Sequence, residues 1–173
     1  MLTRRHIRIK VMQSVYSFQL GQQNKLDQEV LFFKESVEQT FNLYLLLLGL
    51  LKSLHAYAEE QLVIIQKNKI QNEAQFLTLQ KFTQNRVLVF LKEHEVLGKQ
   101  LNNKKLAKWD LEFKFLKDLF VTLSSSQVFQ SYLALEKPTI EDDLKCTAKL
   151  FKNHVATSNY LYDYIEDNCL TWA

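Results

Sequence analysis

One proline, Pro138, and three glycines, Gly21, Gly49 and Gly98, are the whole stock of backbone breakers in a chain of 173 residues. A sheet protein of this size needs a turn about every 8–12 residues, and turns rely on Gly and Pro for their unusual backbone angles. So few breakers exclude an all-β fold and predict an all-α chain, a helical bundle of about six helices. With 47% of its residues apolar, the chain is expected to form a single all-helical domain over residues 1–173 that needs no disulfide. Cys146 and Cys169 have no CxxC or Cys/His spacing, fall in a stretch that reads as one helix, and are expected to be two separate thiols.

The spacing of apolar residues predicts where the helices run. Thr3 is the expected N-cap of a first helix that continues to Leu20. At about 100° per residue, Ile7, Val11, Val15 and Phe18 form one apolar stripe, and Ile9, Met12, Tyr16 and Leu20 form a second on the other side. Two stripes predict a helix sandwiched between neighbours, with Tyr16 in the core. A long second helix is expected from an N-cap at Asp27 to about Gln66, with Gly49 permitting close approach of another helix. Residues 73–97 read as helix, including the strand-like apolar run at 87–91. Gly98 and the following Asn and Lys residues read as a loop. Leu106, Trp109, Phe113, Leu116 and Phe120 then share one helical face. A short helix follows the triple serine and ends before Pro138. Thr139, with Glu141, Asp142 and Asp143, caps a last helix expected to run to about Leu170.

Charge is unevenly placed. The net charge is +3, but Arg4, Arg5, Arg8 and Lys10 contribute +4, leaving the rest at −1. No Asp or Glu precedes Asp27. Cations at a helix start oppose its macrodipole at a cost of about 0.3–1 kcal/mol each, so another interaction must compensate. A polyanion fits: open amides at a helix start accept phosphate, and arginines add bidentate hydrogen bonds. A solubilising terminus, or salt bridges to other helices, fits the charge equally well.

Catalytic and metal patterns are missing from the sequence. His6, His55, His94 and His154 lie in separate segments without HxxxH or HExxH spacing. There is no glycine-rich phosphate loop and no GxSxG. Adjacent carboxylates such as Glu59 and Glu60 diverge around a helix instead of facing one substrate. The chain is therefore expected not to be an enzyme, with no catalytic residue, metal or other cofactor. The most apolar run, residues 43–51, is shorter than the ~20 residues of a membrane span, and no signal peptide is evident. A cytoplasmic protein without membrane association is expected.

The stretch RRHIRIKVMQSVYSFQL resembles the first helix of the NusB family of transcription antitermination factors, in which several arginines are followed by Gln-x-x-Tyr: here Arg4, Arg5, Arg8, Gln13 and Tyr16. The stretch VATSNYLYDYIEDNCLTW is similar to a second NusB helix, through Val155, Asp163, Ile165 and Trp172. Ile9 and His154 depart from the family's usual Glu and Gly. On this resemblance, residues 1–26 and 140–173 are NusB-like helices of an N-terminal subdomain and 27–139 a helical insertion. The family's C-terminal subdomain would begin after Ala173, so the chain is expected to be a truncated form.

The resemblance implies an RNA-binding antitermination factor of ribosomal RNA transcription. It would recognise single-stranded boxA-type RNA together with NusE, a small-subunit ribosomal protein, in the RNA polymerase antitermination complex. Arg4, Arg5 and Arg8 are the implied RNA contacts, with His6, Lys10 and Gln13 added. Lys104, Lys105 and Lys108 could form an auxiliary basic patch, although a solvated helix start explains them as well. Competing readings are a NusB-like RNA-positioning module of a ribosomal RNA methyltransferase, and a helical interaction scaffold. An uncovered core face would make the chain a homo-oligomer.

Overall fold

A computed structural model describes residues 3–21, 25–68, 72–106 and 108–168; Cys169, Trp172 and Ala173 lie outside the described residues. The chain is all-α: these residues contain no strand and form nine α-helices. They are α1 (Arg4–Leu20), α2 (Leu26–Asn68), α3 (Glu73–Thr83), α4 (Arg86–Glu93), α5 (Glu95–Asn103), α6 (Phe113–Ser125), α7 (Gln127–Leu133), α8 (Ile140–Leu150) and α9 (Asn159–Asn168). A 3-10 turn (Trp109–Leu111) precedes α6, and a π-helical segment (Phe151–Val155) follows α8.

There are more helices than the expected six because polar side chains break the chain where no Gly or Pro does. Asn85 ends the first part of the expected 73–97 helix by accepting hydrogen bonds from the amides of Val87 and Leu88, which caps α4. His94 does the same for α5, accepting from the Leu97 amide. Side-chain oxygens and ring nitrogens are good N-cap acceptors because the first amides of a helix have no intrahelical partner. Gly98 consequently sits inside α5 and not in a loop; the turn comes later, at Lys105, in the left-handed region at φ 54°. The expected last helix is likewise interrupted. The Ala156 amide reaches back to the Phe151 carbonyl at 2.8 Å, a five-residue closure that inserts a π turn between α8 and α9. At its start, α2 takes Leu26 as first residue, so Asp27 lies inside the first turn with Glu29 and complements the dipole there.

Several expectations hold. Thr3 and Thr139 both cap their helices with reciprocal side-chain bonds, a short helix follows the triple serine, and residues 87–91 are helical. Gly49 is buried where α2 meets α5 and the 3-10 turn. A Cβ there would lie 3.1 Å from Leu101 Cδ2, closer than side chains normally pack. The missing Cβ lets Leu101 of α5 approach α2, and beside it Trp109 donates its Nε1 hydrogen to the Leu46 carbonyl at 2.9 Å.

The core sits on the second half of α2. Leu46, Leu50, Leu54 and Ala58 are fully enclosed, and Leu79, Phe82, Leu88, Leu123 and Phe129 from α3, α4, α6 and α7 close around them. Trp109, Leu116 and Phe120 are buried as their spacing predicts, but Phe113 is half exposed. It lies at the first residue of α6, where it meets Tyr57 edge-on. By length and composition α2 could cross a membrane. Half of its most apolar stretch is buried inside the bundle, as befits a core helix.

The expected sandwiching of α1 is not observed. None of its residues is buried, and its main packing is against the first half of α2. Val11, Ser14, Val15 and Phe18 meet Leu26, Glu29, Val30 and Phe33 along a shallow apolar groove of about 210 Å³. Only one of the two stripes is covered. Tyr16, on the other, is exposed and not a core residue.

Candidate nucleic-acid interface

The start of α1 is built by a cap with an unusual member. Thr3 is extended at φ −78°, ψ 159°, and its hydroxyl accepts from the His6 amide, while His6 Nδ1 accepts from the Thr3 amide. In a capping box that return bond normally comes from Glu or Gln. Using His there avoids placing an anion beside the arginines. It also commits one ring nitrogen of His6, leaving Nε2 to reach outward. The amides of Arg4 and Arg5, in the first turn, have no intrahelical acceptor.

Helical geometry sorts the six expected contact residues into two groups. Arg4, Arg5 and Arg8 fall within about 100° of one another, whereas His6, Lys10 and Gln13 cluster within about 60° on a different side. Arg8 Nε donates to the Arg4 carbonyl at 3.3 Å, which holds the Arg8 side chain back along the helix toward its start. Arg4, Arg5, His6, Arg8 and Gln13 are exposed and Lys10 half-buried. Arg4 and Arg8 are the neighbours, about 40° apart on one side, while Arg5 projects about 100° from Arg4 and lies between them and the other three residues.

Among the described residues, no ion pair involves any of these cations. Other basic residues do have anionic partners. Lys92 meets Glu59 at 2.7 Å. Lys104 meets Glu38 at 2.8 Å, which neutralises one member of the expected auxiliary patch and leaves Lys105 and Lys108 exposed. Among the described residues, then, salt bridges to other helices do not offset the arginines.

A second polar cluster went unread in the sequence. Asp143, only 1% exposed, accepts from Arg86 Nε at 2.6 Å, from the Arg86 amide at 3.2 Å and from the Tyr132 hydroxyl at 2.7 Å. Its carbonyl accepts from Asn85 and Thr147, and Thr147 in turn donates to Asn85 Oδ1. Arg86 also reaches the Pro138 carbonyl at 2.7 Å. Burial alone would raise the Asp143 pKa, but the hydrogen bonds from Arg86 and Tyr132 outweigh it and hold the carboxyl below the usual aspartate range. The same contacts, with burial foremost, raise the Tyr132 hydroxyl. Burial, with the Asp143 charge, pushes the neighbouring Cys146 thiol up to about 12, so it lacks the thiolate that nucleophilic chemistry needs. Every group here is matched, and the cluster ties α4, α7 and α8 together. A signal existed: Asp143, Cys146, Thr147 and Leu150 share the helical spacing of a buried stripe, which marks Asp143 as inward-facing, unlike Glu141.

A larger cleft, about 670 Å³, lies beside the π segment, lined by Glu112, Asp118, His154 and Tyr160 over a floor of Phe115 and Leu119. Its Tyr160 hydroxyl donates to Glu112, and Phe115 stacks on the Tyr160 ring at 4.3 Å between centroids. Among the described residues no cluster of His, Cys, Asp and Glu is arranged to hold a metal ion. No protein-family profile, no curated protein and no solved structure matches this chain.

Proposed function

We propose that this chain is an RNA-binding protein of NusB type, acting in transcription antitermination through boxA-like single-stranded RNA and a NusE-like partner. The observation that carries the reading is the arginine triad of Arg4, Arg5 and Arg8. It is exposed, is set on a capped helix start, and is without a counter-charge among the described residues. Guanidinium groups there, with the first-turn amides, form an anion site suited to a phosphate backbone. In single-stranded RNA recognition such contacts set register and affinity, while base selection comes from edge contacts or stacking. Exposed Tyr16 offers a ring on the same helix. His6, through Nε2, Lys10 and Gln13 are auxiliary contacts on the adjoining side.

A fluorescence titration with boxA RNA and a scrambled control, at two salt concentrations, tests this reading. Arg4→Ala plus Arg5→Ala should weaken binding at low salt. It should also flatten the slope of log affinity against log salt by about 1.4, since each phosphate contact to a single strand contributes roughly 0.7. Unchanged affinity and slope would remove the RNA site from α1. Equal affinity for both RNAs would keep the site and remove the boxA preference.

A further inference from the structure

Of the buried polar side chains in the body, His55 is the one whose ring is matched on one side only. It lies on α2, 1% exposed, with Nε2 at 2.9 Å from the carbonyl of Thr83, the last residue of α3. A carbonyl can only accept, so Nε2 carries the hydrogen and Nδ1 of the neutral ring is a bare acceptor. That nitrogen has no hydrogen-bond partner among the described residues. What it faces is Glu59 Oε2, one helical turn on and 3.6 Å away. A lone pair set against a carboxylate oxygen is a poor contact, and buried polar atoms are rarely left unmatched. A proton on Nδ1 turns the same contact into a charge-assisted hydrogen bond.

Glu59 already has another partner. Lys92 of α4 reaches both of its oxygens, at 2.7 and 2.8 Å. Glu59 and Lys92 are 38% and 44% exposed, so the Nδ1 side of the buried ring borders groups in contact with water. The other charges on the surrounding helices are exposed or engaged elsewhere. On α3, Lys81 donates to the Leu135 carbonyl and Glu73 is exposed. On α4, Arg86 is held by Asp143 and Glu93 is exposed. Lys52, one turn before His55 on α2, reaches Gly98 of α5. At Thr83 the ring meets the carbonyl end of α3, the negative pole of that helix. Glu59 and this pole favour a charged ring, while Lys92 and burial oppose one.

We propose that His55, Glu59 and Lys92 form a proton-operated exchange, in which Glu59 passes from Lys92 to the His55 ring when Nδ1 is protonated. Histidine is the side chain that changes charge most readily near neutral pH. The proton comes from water and adds to the Nδ1 lone pair; no other covalent bond changes. With the ring neutral, Glu59 ties α2 to α4 through Lys92. With the ring charged, the imidazolium bridges Glu59 and the Thr83 carbonyl, which ties α2 to the end of α3 and releases Lys92 to solvent. The device sits at the break that Asn85 makes between α3 and α4, so one proton decides which of two consecutive helices α2 holds by this carboxylate.

Two-bond proton–nitrogen NMR of the imidazole rings in the whole chain, from about pH 8 to about pH 5, reads this out. At the alkaline end His55 should be the Nε2–H tautomer, and Nδ1 should gain its hydrogen as the pH falls. Glu59→Gln removes the attracting charge and should move the His55 midpoint to lower pH by about 0.5–1, roughly three- to tenfold in proton affinity, at the low end of charge effects because Glu59 is partly exposed. Lys92→Ala removes the competitor and should move the midpoint to higher pH. Opposite shifts are the mark of the exchange, because a histidine that only fills space responds to neither. An Nδ1–H tautomer at the alkaline end or a ring still neutral at the acid end would overturn the proposal, and both outcomes are read on the wild type whatever the variants do to folding. A midpoint unmoved by either substitution, or moved in the same direction by both, would overturn it as well.

Discussion

The two halves of α2 live in different surroundings. Beyond residue 44 the helix runs through the bundle with α3, α4, α5 and α6 around it, and Leu46, Leu50 and Leu54 lose contact with water. Before that point it has α1 as its main neighbour, and Leu31, Phe32 and Phe41 stay largely exposed. Composition does not separate the halves, since both are rich in large apolar residues. The number of neighbouring helices does, because one helix can cover only one side of another. Polar groups divide in the same way: in the body Asp143 is paired with Arg86 and Tyr132, while the arginines of α1 have no ion-pair partner among the described residues. Stability therefore resides in the body, and surface left available for recognition resides in the hairpin of α1 and early α2.

The sharpest test of that division is a truncation in the body. Leu54→Ala removes a fully enclosed side chain at the centre of the core. It should lower unfolding stability by about 3 kcal/mol, within the 2–5 kcal/mol seen for such cavities. Urea titration followed by circular dichroism measures it. A loss below ~1 kcal/mol would mean that the core is looser than its burial implies.

Next in size is the polar tie. Arg86→Ala leaves the buried Asp143 carboxylate with the Tyr132 hydroxyl and one backbone amide. Removing one member of a buried pair costs about 3–5 kcal/mol, discounted here to roughly 2–3 because the Arg86 side chain is half exposed. The carboxyl pKa is depressed by folding, so its stabilisation is complete above the unfolded value of about 3.9 and is lost as pH falls through the lower folded value. Wild type should thus lose stability steeply below about pH 4, and Asp143→Asn should show a flatter profile over that interval. Parallel acid profiles for the two proteins would take the tie out of the energy balance.

Much of this was legible in the sequence, and the failures have physical causes. The caps at Thr3 and Thr139 act within one turn of chain, so local spacing finds them. The breaks at Asn85 and His94 were missed because those side chains can cap or lie on a helix surface, and the choice depends on what the next turn packs against. Periodicity identified both stripes of α1 but carries no count of neighbours, so it predicted a sandwich where one partner is present. Asp143 was read with Glu141 and Asp142 as a dipole complement, although its spacing from Cys146, Thr147 and Leu150 marked the inward face. Its true partners, Arg86 and Tyr132, come from distant segments that no local pattern links. The arginines of α1 were legible as an anomaly, and the structure adds that nothing among the described residues neutralises them.

The smallest predicted effect bears most directly on the comparison. Val15 is half exposed and contributes one wall of the groove between α1 and α2. Val15→Ala deletes two carbons, each worth ~0.8 kcal/mol when wholly buried, so about half that total, ~0.8 kcal/mol, is at stake for hairpin docking. If the hairpin opens on its own, the global urea midpoint barely moves, while amide hydrogens of residues 12–20 exchange about fourfold faster. A fall in the global midpoint comparable to that of Leu54→Ala would instead make α1 part of the same cooperative unit as the core. The exposed stripe of α1 would then belong to a rigid face and not to a locally opening hairpin.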